Sequence, residues 1–344
     1  MSFHTFELSF ELTDNYRNVK EALHKCGCKN YKDKREKTPT HVFEVYPGLV
    51  AYIKKVRQGD YTHNMLYYRI NPRRLTDDNN YVGLFDAARS GDMLDKVDKI
   101  LNRIYSDMPL TEECMLSRID FCCNACLESA DEVDFYIDLF KRGALHDTYE
   151  IQKYKNDVAK RKVLSKNGIT YIGKNDVNIV FYNKQREMEQ QNLTYRDVDY
   201  LNRIIRIEIQ CKRAKIKRIC RRYDIHGVRE FLENSDEIGL PVMRKYAGIF
   251  CGVGDFCKEK AIVKEIDSSA YKNKTKELMK ELVSLSAKHS SLDKAVKKLN
   301  EKYGADRILK IRQKFNELNI SPVVIPRRAQ YKRLPGTDTL IGHF

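Results

Sequence analysis

Residues 203–212 read Arg-Ile-Ile-Arg-Ile-Glu-Ile-Gln-Cys-Lys. Ile205, Ile207, Ile209 and Cys211 alternate with Arg206, Glu208, Gln210 and Lys212, a period of two that belongs to a strand and not to a helix. One side of this strand is made for a core and the other carries charge, the pattern of an antiparallel sheet packed on one face.

The same alternation recurs earlier in the chain. Residues 116–127 set Ile119, Phe121, Cys123 and Ala125 against Arg118, Asp120, Cys122 and Asn124. Two more strands flank a turn at Lys174 to Asp176, the second running on to Lys184. At the start of the chain Phe6, Leu8, Phe10 and Leu12 alternate with Glu7, Ser9 and Glu11, and further strands fall at 41–56 and 65–70, closed by Asn71-Pro72. Between them, Met93, Val97, Ile100, Leu101 and Ile104 recur at helical spacing up to Pro109, and 131–142 is again helical.

After residue 213 the chain turns helical, with patterns at 269–290, 292–303 and 306–318 and Gly304 placed as a stop signal. The end, from Val323, reads as basic and irregular. These readings predict an α+β fold in two regions, a sheet domain over 1–215 and a helical region with a basic tail over 216–344.

A formal net charge of +15 points to an anionic partner. Nucleic acid suits it better than a membrane, because the charge is spread through folded segments with no basic amphipathic helix beside an apolar anchor. The plain alternative is a lysine-rich, well-solvated surface. No stretch of 18 apolar residues and no signal-like start occur, so a cytoplasmic protein is the default expectation. Of ten cysteines, Cys26 and Cys28, and Cys123 and Cys126, are closely spaced, but no second half of a zinc knuckle accompanies them. Buried structural thiols are the simpler reading.

Asp120, Tyr182 and Glu208 each fall on the polar side of an alternating strand, amid Arg118, Lys184, Arg206 and Lys212. Were these strands neighbours, one face would display two carboxylates, a phenol and several cations. Carboxylates are hard oxygen ligands for Mg²⁺ or Mn²⁺, lysine and arginine stabilise charge on phosphate oxygens, and a tyrosine can act as nucleophile. A face that is merely solvated fits the same residues. Arg213, Lys215, Lys217 and Arg218, directly after the Glu208 strand, read either as phosphate contacts or as an ordinary solvated helix face.

Tyr182-Asn183-Lys184-Gln185-Arg186-Glu187, preceded by Tyr171-Ile172-Gly173, resembles the nucleophile segment of rolling-circle replication initiators of Gram-positive plasmids. Leu116-Ser117-Arg118-Ile119-Asp120 looks like the acidic strand motif that those initiators share with the filamentous-phage gene II replication protein. Arg206-Ile207-Glu208-Ile209-Gln210 is similar to the later Arg-x-Glu strand of both groups. The resemblance covers roughly residues 65 to 215, with the motifs in order.

The resemblance implies an antiparallel sheet of about five strands flanked by helices, related to the histidine-hydrophobic-histidine nickases. No His-x-His pair exists in this chain, which moves the metal role to Asp120, Glu208 and Glu187, the last equally readable as a surface carboxylate. It further implies Tyr182 as the nucleophile with Lys184 beside it, and Mg²⁺ or Mn²⁺ as cofactor. The DNA contacts would be Arg118, Arg206, Lys212, Arg213, Lys215 and Arg218.

The implied activity is nicking and rejoining of a DNA strand at an origin through a 5′-phosphotyrosyl link. Origin DNA, a host helicase and a polymerase are the implied partners, with a homodimer as an open option and no membrane. In that picture the C-terminal region binds DNA or mediates oligomerisation. Two other readings stay open: a relaxase of a mobile element with the same chemistry, and a non-enzymatic origin-binding protein. Tyr171, Tyr195 and Tyr200 are candidates for a second, terminating tyrosine, although packing or base stacking suits them better.

Overall fold

The computed structural model describes residues 2–25, 30–31, 41–76, 82–156, 161–163, 165–174, 176–193 and 197–342. Cys26, Cys28 and Tyr195 lie outside the described residues. The strands are β1 (Ser2–Leu12), β2 (Asn30–Tyr31), β3 (His41–Tyr46), β4 (Leu49–Gln58), β5 (Tyr61–Ile70) and β6 (Met115–Cys126). They continue with β7 (Tyr149–Ile151), β8 (Tyr154–Asn156), β9 (Arg161–Val163), β10 (Gly168–Gly173), β11 (Val177–Asn183) and β12 (Ile204–Lys212). Near the end come β13 (Asp255–Lys258), β14 (Ile320–Ile325) and β15 (Arg333–Leu334). Among the described residues no helix is long and apolar enough to cross a membrane.

The chain divides into two compact units, one of Met1–Cys122, Asn175–Val177 and Gln210–Gly239, the other of Cys123–Lys174, Asn178–Ile209 and Leu240–Phe344. A single cut after residue 215 does not describe this division. The units are interleaved, because β6, β11 and β12 each supply residues to both.

In the first unit the strand order is β2-β3-β4-β5-β1-β6, six strands where about five are expected for the whole sheet. Strand β1 lies antiparallel between β5 and β6, with Phe6 facing Ile70 and Ile119, and Glu7 facing Arg69 and Arg118. Of the apolar alternation read in the sequence, Phe6, Leu8 and Leu12 are in the core and Phe10 is half-buried, while Glu7 and Ser9 on the polar side are buried too. The helix Ser90–Ile104 buries Met93, Val97 and Leu101 of the expected stripe together with Leu94, while Ile100 and Ile104 are half-buried. Strand β5 stops at Ile70, and Asn71 accepts a 3.1 Å hydrogen bond from the Arg74 amide to start the short helix Pro72–Thr76.

In the second unit β12, β11, β10 and β7 follow one another, and β10 and β11 form an antiparallel pair in which Gly168 faces Tyr182 and Tyr171 faces Ile179. Their buried side rests on aromatic rings: Phe181 stacks on Phe140 at 4.0 Å and Tyr171 on Phe250 at 3.6 Å. The Tyr171 hydroxyl donates to the Phe140 carbonyl at 2.7 Å, so this tyrosine is a core residue.

The C-terminal helices fall where the periodicity places them, at Asn273–His289, Leu292–Tyr303 and Ala305–Glu317. The tail is not irregular: β14 is buried along its whole length and pairs in parallel with β13, which pairs antiparallel with β15. Pro322 argues against a strand in the sequence, but β14 is an edge strand of this three-stranded sheet, where a missing amide is tolerated.

Candidate active site

Burial along β11 alternates strictly, with Val177, Ile179 and Phe181 in the core and Asn178, Val180 and Tyr182 on the other side. The strand ends at Asn183, whose side chain accepts a hydrogen bond from the Arg186 amide at 3.1 Å and so caps the helix Lys184–Gln190. Tyr182 is thereby fixed at a strand-to-helix junction. One helical turn further on, Glu187 meets the Lys184 ammonium at 2.6 Å. Opposite Tyr182 stands Gly168, where an added Cβ would lie 2.3 Å from the Phe181 carbonyl oxygen and 2.7 Å from the Tyr182 Cβ. A glycine is required there for β10 to approach β11 this closely.

The Tyr182 hydroxyl donates to Glu208 Oε1 at 2.5 Å. On the same strand as Glu208, Arg206 is 0 % exposed and donates through Nε to Asn124 Oδ1 at 2.7 Å. Lys184, at 2 % exposure, is nearly as deep. Arg206, expected as a DNA contact, is therefore enclosed and acts on its surroundings through charge. Asp134 completes the outer part of the cluster, holding Arg186 at 2.5 Å and Asn183 at 3.4 Å.

This setting perturbs both Tyr182 and Lys184. Burial, and then the charge of Glu208, raise the Tyr182 phenol well above its ordinary range, with Arg206 opposing. Burial, and then Arg206, lower the Lys184 ammonium to about 8, with Glu187 and Glu208 opposing. The Tyr182 phenol is thus hydrogen-bonded to a carboxylate with the Arg206 charge bearing on it, an arrangement in which a carboxylate can accept a phenolic proton.

Of the predicted residues, the structure joins Tyr182 to Glu208 and Lys184 to Glu187. Asp120 belongs to the first unit, where Arg118 grips both its oxygens at 2.8 and 2.6 Å. Glu7 continues that network, 3.8 Å from Arg118 and 2.6 Å from Arg69. Also in the first unit, the helix Arg213–Tyr223 buries Ile216 and Ile219 and exposes Arg213, Lys217, Arg218, Arg221 and Arg222. Lys212 and Lys215 are half-buried, and burial lowers the Lys215 ammonium.

Oxygen donors of the right chemistry for Mg²⁺ or Mn²⁺ are present, but Asp120 answers Arg118, Glu187 answers Lys184 and Glu208 accepts from Tyr182. Among the described residues no three His, Cys, Asp or Glu side chains gather as a metal-binding set. Each of the three expected carboxylates is thus engaged by a side chain of its own surroundings.

Gly168, Asn124 and Asp134 were not legible as site residues. Gly168 carries the one local signal, a glycine after Asn167 just inside a strand pattern. Asn124 and Asp134 depend on which elements meet.

No family model matches the chain, and no curated protein matches it. Among solved structures it is similar to a rolling circle replication initiator protein from Geobacillus stearothermophilus, at 11% sequence identity and a TM-score of 0.33, over 71% of this chain and 84% of that one. At that distance the functional case rests on the residues themselves.

Proposed function

We propose that this chain initiates rolling-circle replication by nicking and rejoining a DNA strand through Tyr182. The observation that carries the reading is the 2.5 Å hydrogen bond from the Tyr182 hydroxyl to Glu208, beside the buried cations Lys184 and Arg206. A structural tyrosine needs no such company, since buried cations are expensive and cluster where chemistry uses them.

Glu208 takes the phenolic proton as the Tyr182 oxygen attacks phosphorus. The bond from phosphorus to Tyr182 forms, the bond to the 3′-oxygen breaks, and the proton passes to the leaving oxygen. Lys184 and Arg206 lower the energy of the charge that develops. The product is a 5′-phosphotyrosyl link and a free 3′-hydroxyl that a host polymerase can extend behind a host helicase. Attack by a new 3′-hydroxyl reverses the step and rejoins the strand. The exposed cations of the helix Arg213–Tyr223 are the proposed phosphate contacts.

A Mg²⁺ or Mn²⁺ ion is a separate proposal, because it would have to displace Lys184 from Glu187 or the phenol from Glu208. Titrating Mn²⁺ into the reaction after chelation tests it directly. The central test uses labelled single-stranded oligonucleotides spanning candidate origins. Wild type should form an adduct that survives denaturation, and Tyr182→Phe should form none. Wild-type protein that forms no adduct with any of them overturns the nicking reading.

A further inference from the structure

Strands β4 and β5 pair over ten positions, from Leu49 with Ile70 to Gln58 with Tyr61, and turn through Gly59-Asp60 with Gly59 at φ +62°. Among the described residues their neighbours stop early. The registered pairing of β3 reaches β4 only as far as Ile53, and that of β1 reaches β5 only as far as Asn64. Ile53 and Met65 are also the last buried apolar residues on the two strands, while Lys55, Val56, Arg57, Gly59, Asp60, Tyr61 and Thr62 are exposed. Among the described residues the distal half of the hairpin is thus a two-stranded ribbon that runs past its flanking strands with no buried apolar residue of its own.

Such a ribbon gains little from folding alone, since an isolated hairpin is marginal in water. Its composition is not that of an ordinary solvated turn. Tyr61 is 75% exposed and Val56 36%, both near the tip, and Lys54, Lys55 and Arg57 outnumber the single acid, Asp60. His63 is already occupied by Glu11, and Lys54 lies over the Tyr52 ring at 4.9 Å, which anchors the root of the ribbon. Lys55 and Tyr61 are exposed, and Arg57, whose Nε donates to the Gly59 carbonyl at 3.1 Å, is exposed beside them.

We propose that this ribbon is an arm that enters the major groove of duplex DNA, with Lys55 and Arg57 on phosphates and the Tyr61 tip toward the base edges. A two-stranded β-ribbon is one of the two elements that the major groove admits, and the positive balance matches its walls. The inference rests on the DNA-directed reading above, but it concerns duplex binding and not the chemistry at Tyr182.

The test uses the full chain and the triple variant Lys55→Ala, Arg57→Ala, Tyr61→Ala, with duplex binding followed by fluorescence anisotropy over a salt series. Removing two phosphate contacts should weaken binding about tenfold at moderate salt and flatten the slope of log K against log salt by about two. The thermal midpoint and the adduct formed on a single-stranded oligonucleotide should stay as in wild type. Unchanged duplex affinity overturns the arm while leaving the nicking reading intact. A variant that loses self-association in gel filtration, with duplex affinity kept, overturns it too and gives the ribbon to a second copy of the chain. Wild-type protein that neither binds duplex nor forms an adduct overturns both proposals together.

Discussion

Lys184→Met isolates the energetic consequence of placing an ammonium almost wholly inside the protein. In wild type, burial and Arg206 lower the Lys184 ammonium from its ordinary 10.5 to about 8. The unfolded chain therefore binds more protons than the folded one between those two values, and this group makes stability rise with pH across that window. At about 1.4 kcal/mol per pKa unit, the shift corresponds to about 3 kcal/mol of destabilisation at neutral pH, relieved as pH approaches 10.

Other groups titrate there with the opposite sign, since burial raises the thiols of Cys114, Cys123, Cys211 and Cys251 to about 12. The informative quantity is consequently the difference between wild type and Lys184→Met. Methionine fills similar volume without charge and leaves Glu187, whose side chain is 26% exposed, able to turn to water. Urea unfolding at pH 7, 8, 9 and 10 should find the variant as stable as wild type or more so at pH 7, by up to about 3 kcal/mol, with the gap closing by pH 10. Adduct formation should be lost throughout. Parallel stability curves for the two proteins would refute the buried-charge argument, and a variant that still forms the adduct would refute the function assigned to that charge.

Three further outcomes follow from the site and its support. Glu208→Gln removes the proton acceptor of Tyr182, so adduct formation at neutral pH should fall about 100-fold or more and recover in part as pH rises; an unaffected initial rate would show that Glu208 is not the base. Gly168→Ala drives a methyl into the Phe181 carbonyl and the Tyr182 Cβ, which should lower stability by about 1–3 kcal/mol and slow the adduct, measured by urea midpoint and initial rate. Wild-type values on both counts would mean that the β10–β11 spacing is not tight. Asp120→Asn leaves Arg118 with a neutral partner in the first unit and should reduce stability by about 1–3 kcal/mol, whereas an unchanged urea midpoint would show the pair contributes nothing.

The strands were legible because period two is a property of the backbone, and β6, β11 and β12 fall within a residue or two of where alternation places them, while β1 begins four residues before the alternation at Phe6. Alternation identifies the side that packs on the core. What it leaves open is whether the other side meets water. In β12 it does not: Arg206 and Glu208 are buried as well as Ile205, Ile207 and Ile209. The charged side is closed by partners from distant segments, Asn124 for Arg206 and Tyr182 for Glu208, and no local pattern encodes such meetings. The same lack of local information applies to the division into units, since segments that alternate along the chain leave no linker to read. It also bears on function. A solvated polar face was the plain alternative for Asp120, Tyr182 and Glu208, and solvated charges are nearly free of cost, so they argue for nothing. Enclosing Lys184 and Arg206 beside a phenol is costly even with Glu187 and Asn124 as partners, and the proposed strand transfer through a phosphoryl anion is a reaction that would use their charge.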